Sequence, residues 1–242
     1  MTTVPLIQNT VDNANHPFLR QLQSSAYNHL DTSNHTLDLA GWVNEGFEPT
    51  FLQIINQLRH YSNPVIIEVG SWKGASAHLM ATICKRHNVK LSALVCIDTW
   101  LGAPEFYTWG LADAERGKAL QWVNGFPHVF YTFTKNAKLS GHSDIIVPFP
   151  ISSLQGADVL RHYKISAHAI YIDASHESAA VYLDLRAFYE LLLPGGIIFG
   201  DDYCDYWHGV KEAVHMFADE QGIKIQLLGA NWMLRKPLST PN

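Results

Sequence analysis

The stretch "PVIIEVGSWKGASAHL", residues 64–79, passes from a β-branched apolar run into a helix-patterned segment through Gly70-Ser71-Trp72-Lys73-Gly74. A strand buried on both faces of a parallel sheet reads as such a short, nearly continuous apolar run. In a doubly wound sheet, the turn that follows the first strand is a nucleotide-binding position. The residues of the turn narrow the choice of nucleotide. A dinucleotide fingerprint needs glycine where Trp72 stands, so that the backbone can touch a pyrophosphate. That argues against a nicotinamide dehydrogenase. A phosphate-binding loop needs Gly-Lys-Ser/Thr, and Lys73-Gly74 reverses the order. A nucleoside without phosphates remains. Glu68 suits it, because an acid repels pyrophosphate and attracts an ammonium or sulfonium. The same residues also suit a tight turn whose glycines only pack the following helix.

Outward from this turn the pattern repeats. "LSALVCID" (91–98), "HAIYIDA" (168–174) and "GGIIFGD" (195–201) are further apolar runs closed by Gly or an acid. "DIIVPFPI" (144–151) is another strand, weakened by two prolines. Helical spacing is expected near 48–61 and over 74–87, 153–163, 176–193 and 208–222. "IKIQLLG" and "NWMLRKP" close the chain as an antiparallel hairpin. Strand–helix alternation followed by a hairpin predicts an α/β fold with a doubly wound sheet and a terminal antiparallel element. Residues 1–45 are polar and turn-rich. The chain therefore divides into an N-terminal arm and helix (1–61), a candidate lid, and a domain over 62–242 with an insert at 99–126. No internal repeat or linker is visible.

The whole chain has 242 residues, 47% of them hydrophobic and 16% charged, enough for one sizeable core. Its net charge of -5 argues against a nucleic-acid binder, which needs a basic face. No apolar run approaches the roughly 20 residues that span a bilayer. The start, "MTTVPLIQNT", lacks the basic and apolar regions of a secretion signal. Cys84, Cys96 and Cys204 are scattered and form no CxxC pair, which favours a reducing cytoplasm.

Three strand ends carry acids. Asp98 stands where a carboxylate accepts hydrogen bonds from ribose hydroxyls. Asp173 and the Asp201-Asp202 pair end two strands that lie about 4.8 Å apart if they are neighbours. Crowded carboxylates repel, and a divalent cation relieves that repulsion. Oxygen ligands select Mg²⁺, Ca²⁺ or Mn²⁺ over zinc. The alternative is a set of solvated turn and cap residues. His176, three residues after Asp173, is placed to act as a base near neutral pH, although a helix-start histidine needs no such role. Ser175 reads as a helix N-cap.

E-x-G-x-x-x-G (Glu68, Gly70, Gly74), Asp98, I-D-x-x-H (Ile172, Asp173, His176) and G-G-x-x-x-G-D-D-Y (Gly195 to Tyr203) together resemble class I S-adenosylmethionine-dependent methyltransferases. The nearest group is the metal-dependent, macrocin-type sugar O-methyltransferases. The resemblance covers roughly residues 62–235. It implies a mostly parallel, seven-stranded, Rossmann-like sheet with the terminal antiparallel hairpin. It also implies S-adenosylmethionine at Glu68, Gly70, Ser71, Gly74 and Ser76, with Asp98 on the ribose and Trp100, Ser152 and Ser153 flanking the adenine. Asp173, which borders this site, Asp201 and Asp202 would bind Mg²⁺ or another divalent cation, with His176 as the base. Many relatives carry I-D-G-D-H, with a second acid where this chain has Ser175, and the base role then falls on His176. The implied reaction is methyl transfer to a small-molecule hydroxyl, with a sugar or polyol as acceptor, or a catechol-type diol. A non-catalytic scaffold that binds the cofactor is the alternative from another class. The aromatic insert (Trp100, Phe106, Tyr107, Trp109, Trp122, Phe126) is expected as a wall, a lid or a contact in a homo-oligomer.

Overall fold

The computed structural model describes residues 16–41, 46–108 and 118–238. Trp109, one of the aromatics of the insert, lies outside the described residues. The central strand, β1 (Val65–Val69), is buried along its whole length. It pairs in parallel with β2 (Ala93–Asp98) on one side and β4 (Ala167–Ile172) on the other. Outside β2 lies β3 (Ile146–Pro150). Outside β4 lie β5 (Leu192–Gly200), β7 (Asn231–Arg235) and β6 (Gln226–Leu228). The order is β3-β2-β1-β4-β5-β7-β6, and β7 is antiparallel to both its neighbours. Both the doubly wound sheet and the terminal antiparallel hairpin are as expected.

The proline-bearing strand is tolerated because β3 is the edge of the sheet, where a missing ladder donor costs least. In β5 the register shifts between the Ala167 and Ala169 partners, and this shift absorbs Pro194 and Gly195.

Alternation along β1 divides the core. Val65, Ile67 and Val69 face one layer and Ile66 the other. The first layer is closed by α6 (Ser153–His162), α7 (Ser178–Leu191) and α8 (His208–Gln221). The second is closed by α2 (Phe47–Leu58), α3 (Ala75–Arg86) and α5 (Val129–Leu139). Before them in the chain, α1 (Pro17–Tyr27) packs along β3 and puts Leu19 into one layer and Tyr27 into the other. A short α4 (Pro104–Thr108) begins the insert. The N-cap of α7 is Glu177 rather than Ser175, whose hydroxyl instead accepts from the Glu177 amide at 3.3 Å. No helix among the described residues is long and apolar enough to cross a membrane.

Candidate active site

The topology reverses between β1 and β4, and ligands of open α/β sheets bind at such a point. Here the two strand ends touch. The Asp173 amide donates to the Val69 carbonyl at 2.8 Å. Gly70 has φ +86°, and a Cβ there would lie 1.9 Å from the Asp173 carbonyl oxygen. Only glycine fits this approach. The glycine turn and the first acid are thus locked together by backbone.

The side chains of the turn are largely engaged with one another. Glu68 is fully buried and accepts from Ser71 Oγ at 2.5 Å and Ser76 Oγ at 2.6 Å. Burial pushes its carboxyl up to about 7, with the two serine hydroxyls opposing the rise. Glu68, Ser71 and Ser76 therefore brace the turn from beneath instead of lining it with open polar groups. Gly74, also at positive φ, sits against the Phe133 ring, where a Cβ would come within 2.9 Å. Asp98 closes the turn from β2. Its Oδ2 accepts from the amides of Ser71 and Trp72, each at 2.9 Å, and its Oδ1 from that of Trp100 at 2.7 Å. A carboxylate offers about four acceptor positions, so one remains for a ligand hydroxyl.

The Trp100 side chain is engaged within the protein. It is 1% exposed, packs on Phe130 and Phe133, and donates from Nε1 to the Trp72 carbonyl at 2.7 Å. The serine turn does reach this sheet end, since the Ile151 amide donates to the Asp98 carbonyl at 3.0 Å. Ser152 Oγ bonds Gln155 Oε1 at 3.0 Å, and Ser153 bonds Asp184, whose carboxyl burial raises to about 6. The indole of Trp72 stacks on Phe106 with ring centres 4.7 Å apart. Tyr107, Trp122 and Phe126 are exposed nearby in the chain.

The pairing of β4 with β5 brings Ile172 opposite Gly200, so the acids that follow each strand meet. Single donor atoms of Asp173, His176 and Asp202 all lie within 4.8 Å of one another. His176 Nε2 is 2.9 Å from Asp202 Oδ2, and its ring stacks on Trp207 at 3.7 Å and 14°. Tyr171 donates to Asp173 Oδ2 at 3.0 Å. Burial, then the charges of Asp202 and Asp201, push the Asp173 carboxyl up to about 7. Burial raises that of Asp201 to about 6. Asp201, also expected as a ligand, is outside the convergent set, and its Oδ1 accepts from Asn231 Nδ2 at 2.9 Å. Two carboxylates and an imidazole whose donor atoms converge at a sheet end fit a hard to borderline divalent cation such as Mg²⁺ or Mn²⁺.

A sequence model for a family described as a methyltransferase domain matches residues 67–203, more than half of the chain, from β1 to the acid pair. The chain belongs to the methyltransferase-domain family. No curated protein matches it by sequence. Among solved structures, the methyltransferase is similar to the O-methyltransferase NovP, with TM-score 0.60 and 15% identity over 91% of this chain and 98% of that one. An O-methyltransferase from Bacillus cereus in complex with SAH gives TM-score 0.56 and 13% identity over 95% and 94%. CalS11, a TDP-rhamnose 3'-O-methyltransferase, gives 0.52 and 16% over 90% and 92%. Identities this low establish a shared fold.

Sequence reasoning missed four residues around the candidate cluster: Tyr171, bonded to Asp173, Trp207, stacked on His176, Asn231, bonded to Asp201, and Thr50, bonded to Asn231. Nothing in spacing marks Tyr171 or Trp207. Thr50 and Asn231 also lie outside the matched segment. A cavity of about 40 Å³ lies elsewhere, between α1 and the start of β2, lined by His16, Arg20, Gln23 and Ser92 among others. It has room for a water, not a nucleoside.

Proposed function

We propose that this methyltransferase uses S-adenosylmethionine to methylate a hydroxyl group of a small sugar or polyol, assisted by Mg²⁺ or Mn²⁺. The observation that supports this most is the meeting of Asp173, His176 and Asp202 within 4.8 Å, at the sheet end where Gly70 packs on Asp173. When bound, the donor supplies a methyl group activated by a sulfonium, and the cation lowers the pKa of the acceptor hydroxyl.

The residues of the chain do the rest. The main chain of the 70–74 turn and Asp98 hold the nucleoside. Asp173 and Asp202 hold the cation, with Asp201 beside them. His176 takes the hydroxyl proton through its imidazole, whose Nε2 faces Asp202. Asp202 Oδ2, 2.9 Å away, stabilises the imidazolium as it forms. Trp207, stacked on the ring, fixes its plane. Among the described residues of the insert, Phe106, Tyr107 and Trp122 offer faces that suit a sugar ring. NovP and CalS11 support an oxygen acceptor, the latter by its action on a TDP-sugar.

Calorimetric titration with S-adenosylmethionine tests the donor. An assay of S-adenosylhomocysteine release over sugar, polyol and catechol acceptors then tests the rest. Binding is expected, as is turnover with a vicinal diol that EDTA abolishes. No heat of binding overturns the reading. Turnover indifferent to EDTA removes the cation from it, and preference for catechols replaces the acceptor class.

A further inference from the structure

Asp201 is held differently from the other acids. Asn231, the first residue of β7, donates from Nδ2 to Asp201 Oδ1 at 2.9 Å, and its own Oδ1 accepts from Thr50 Oγ at 2.9 Å. Thr50 and Asn231 are both buried, at 3% and 5% exposure. Chemistry fixes which way the amide points. An ionised carboxylate has no hydrogen to give, so Nδ2 must face Asp201, and Oδ1 is left for the threonine hydroxyl. The backbone of Asp201 is held by the same strand, because Trp232 Nε1 donates to its carbonyl at 3.1 Å. Gly200 before it has no room for a side chain, since a Cβ would lie 2.5 Å from the Trp232 ring. The strand pairing explains the contact, for Gly200 lies opposite Trp232 and Asn231 is the next residue. Thr50 arrives from α2, on the second face of the sheet. A buried side-chain amide with both ends satisfied is costly to disturb.

We infer that Asn231, oriented by Thr50, is a positioning residue that occupies one oxygen of Asp201 and limits this acid to supporting the divalent cation through the other, while Asp173 and Asp202 grip it directly. The inference rests on the cation reading proposed above. It places a functional pair outside the segment that matches the family, on α2 and the last strand. Neither residue touches reacting atoms. Both act through Asp201, as groups behind metal ligands do when they set ligand orientation.

The test is a Mn²⁺ titration of the full chain, followed by electron paramagnetic resonance of the free ion, with a thermal melt of each sample. The wild-type chain is expected to bind one Mn²⁺. Asn231→Ala is expected to weaken binding by about 10–100-fold. Thr50→Val keeps the shape and drops only the hydroxyl, so it guards against an Asn231 variant that does not fold. It is expected to weaken binding by less, about 3–10-fold, with a melting midpoint close to wild type. Folded variants that bind Mn²⁺ as tightly as wild type, or more tightly, overturn the inference and leave the cation reading standing. Affinity that falls only in step with the melting midpoint also overturns it, since that marks a merely structural role. A wild-type chain that takes up no Mn²⁺ overturns both.

Discussion

His176 and Glu68 show how one sheet end can hold two titratable side chains for different purposes. His176 lies against Trp207 and beside Asp202, with its ring plane and one nitrogen both fixed. His176→Gln is expected to lower kcat by about 10²–10⁴ while leaving the affinity for S-adenosylmethionine unchanged. Full turnover by that variant would remove the histidine as base. Glu68 is buried under the glycine turn and holds its proton up to about pH 7, against an ordinary value of 4.5. In this window the folded chain keeps a proton that the unfolded chain releases. Its stabilising contribution is therefore complete below about pH 4.5 and is lost as pH rises through 7. The loss is on the order of 3 kcal/mol. Glu68→Gln cannot ionise, so the difference in urea midpoint between variant and wild type is expected to move in the variant's favour from pH 5 to pH 8. A difference that stays flat with pH would mean Glu68 is ionised throughout. That Glu68 faces inward was not legible in the sequence. An acid in a strand reads as ligand-facing unless its serine partners, three and eight residues on, are known to fold back onto it.

Among the elements, strands were the most legible and helices the least uniformly so. β1, β2, β4 and β5 are buried on both faces, so sequence alone forces them to read as apolar runs. The hairpin of β6 and β7 was also visible. Besides the short α4, two longer helices were not. α1 buries only Leu19 and Tyr27 of its eleven residues, too few to leave a period in the sequence. α5, "VFYTFTKNAKL", is rich in β-branched and aromatic residues that carry no helical preference, and packing on Trp100 and Gly74 overrides that. The acids of the site were legible because strand ends point one way in a parallel sheet. Their supports were not, because Thr50 and Asn231 are brought in by elements far away in the chain. The contact between β1 and β4 gives the sharpest expectation at this scale. Gly70→Ala would drive a Cβ into the Asp173 backbone at positive φ, at a cost of about 3 kcal/mol or more. Urea unfolding measures it, and a variant as stable as wild type would show that the two strand ends are not in contact.

The whole molecule is tied together by its N-terminal segment. Lys73, within the glycine turn and nearly buried, pairs with Asp38 at 2.7 Å. Asn136 of α5 accepts from the Asp38 amide at 3.0 Å and donates to the Lys73 carbonyl at 2.9 Å. Asp38 is one-third exposed, so water screens the pair in part. Asp38→Asn is expected to cost about 1–3 kcal/mol and to speed proteolysis within residues 28–41. Unchanged cleavage would detach the segment from the turn. With this strap on one side and β7 on the other, the turn and the acid cluster are held in one frame, which is what the proposed methyl transfer beside a cation requires. The most direct measurement of that frame is the anomalous diffraction of crystals soaked in Mn²⁺ and S-adenosylmethionine. The expected result is a single peak within about 2.5 Å of carboxylate oxygens of both Asp173 and Asp202, with donor density against the Gly70 turn. A fully soaked crystal with no peak between those two acids, or with the donor bound elsewhere, would contradict it.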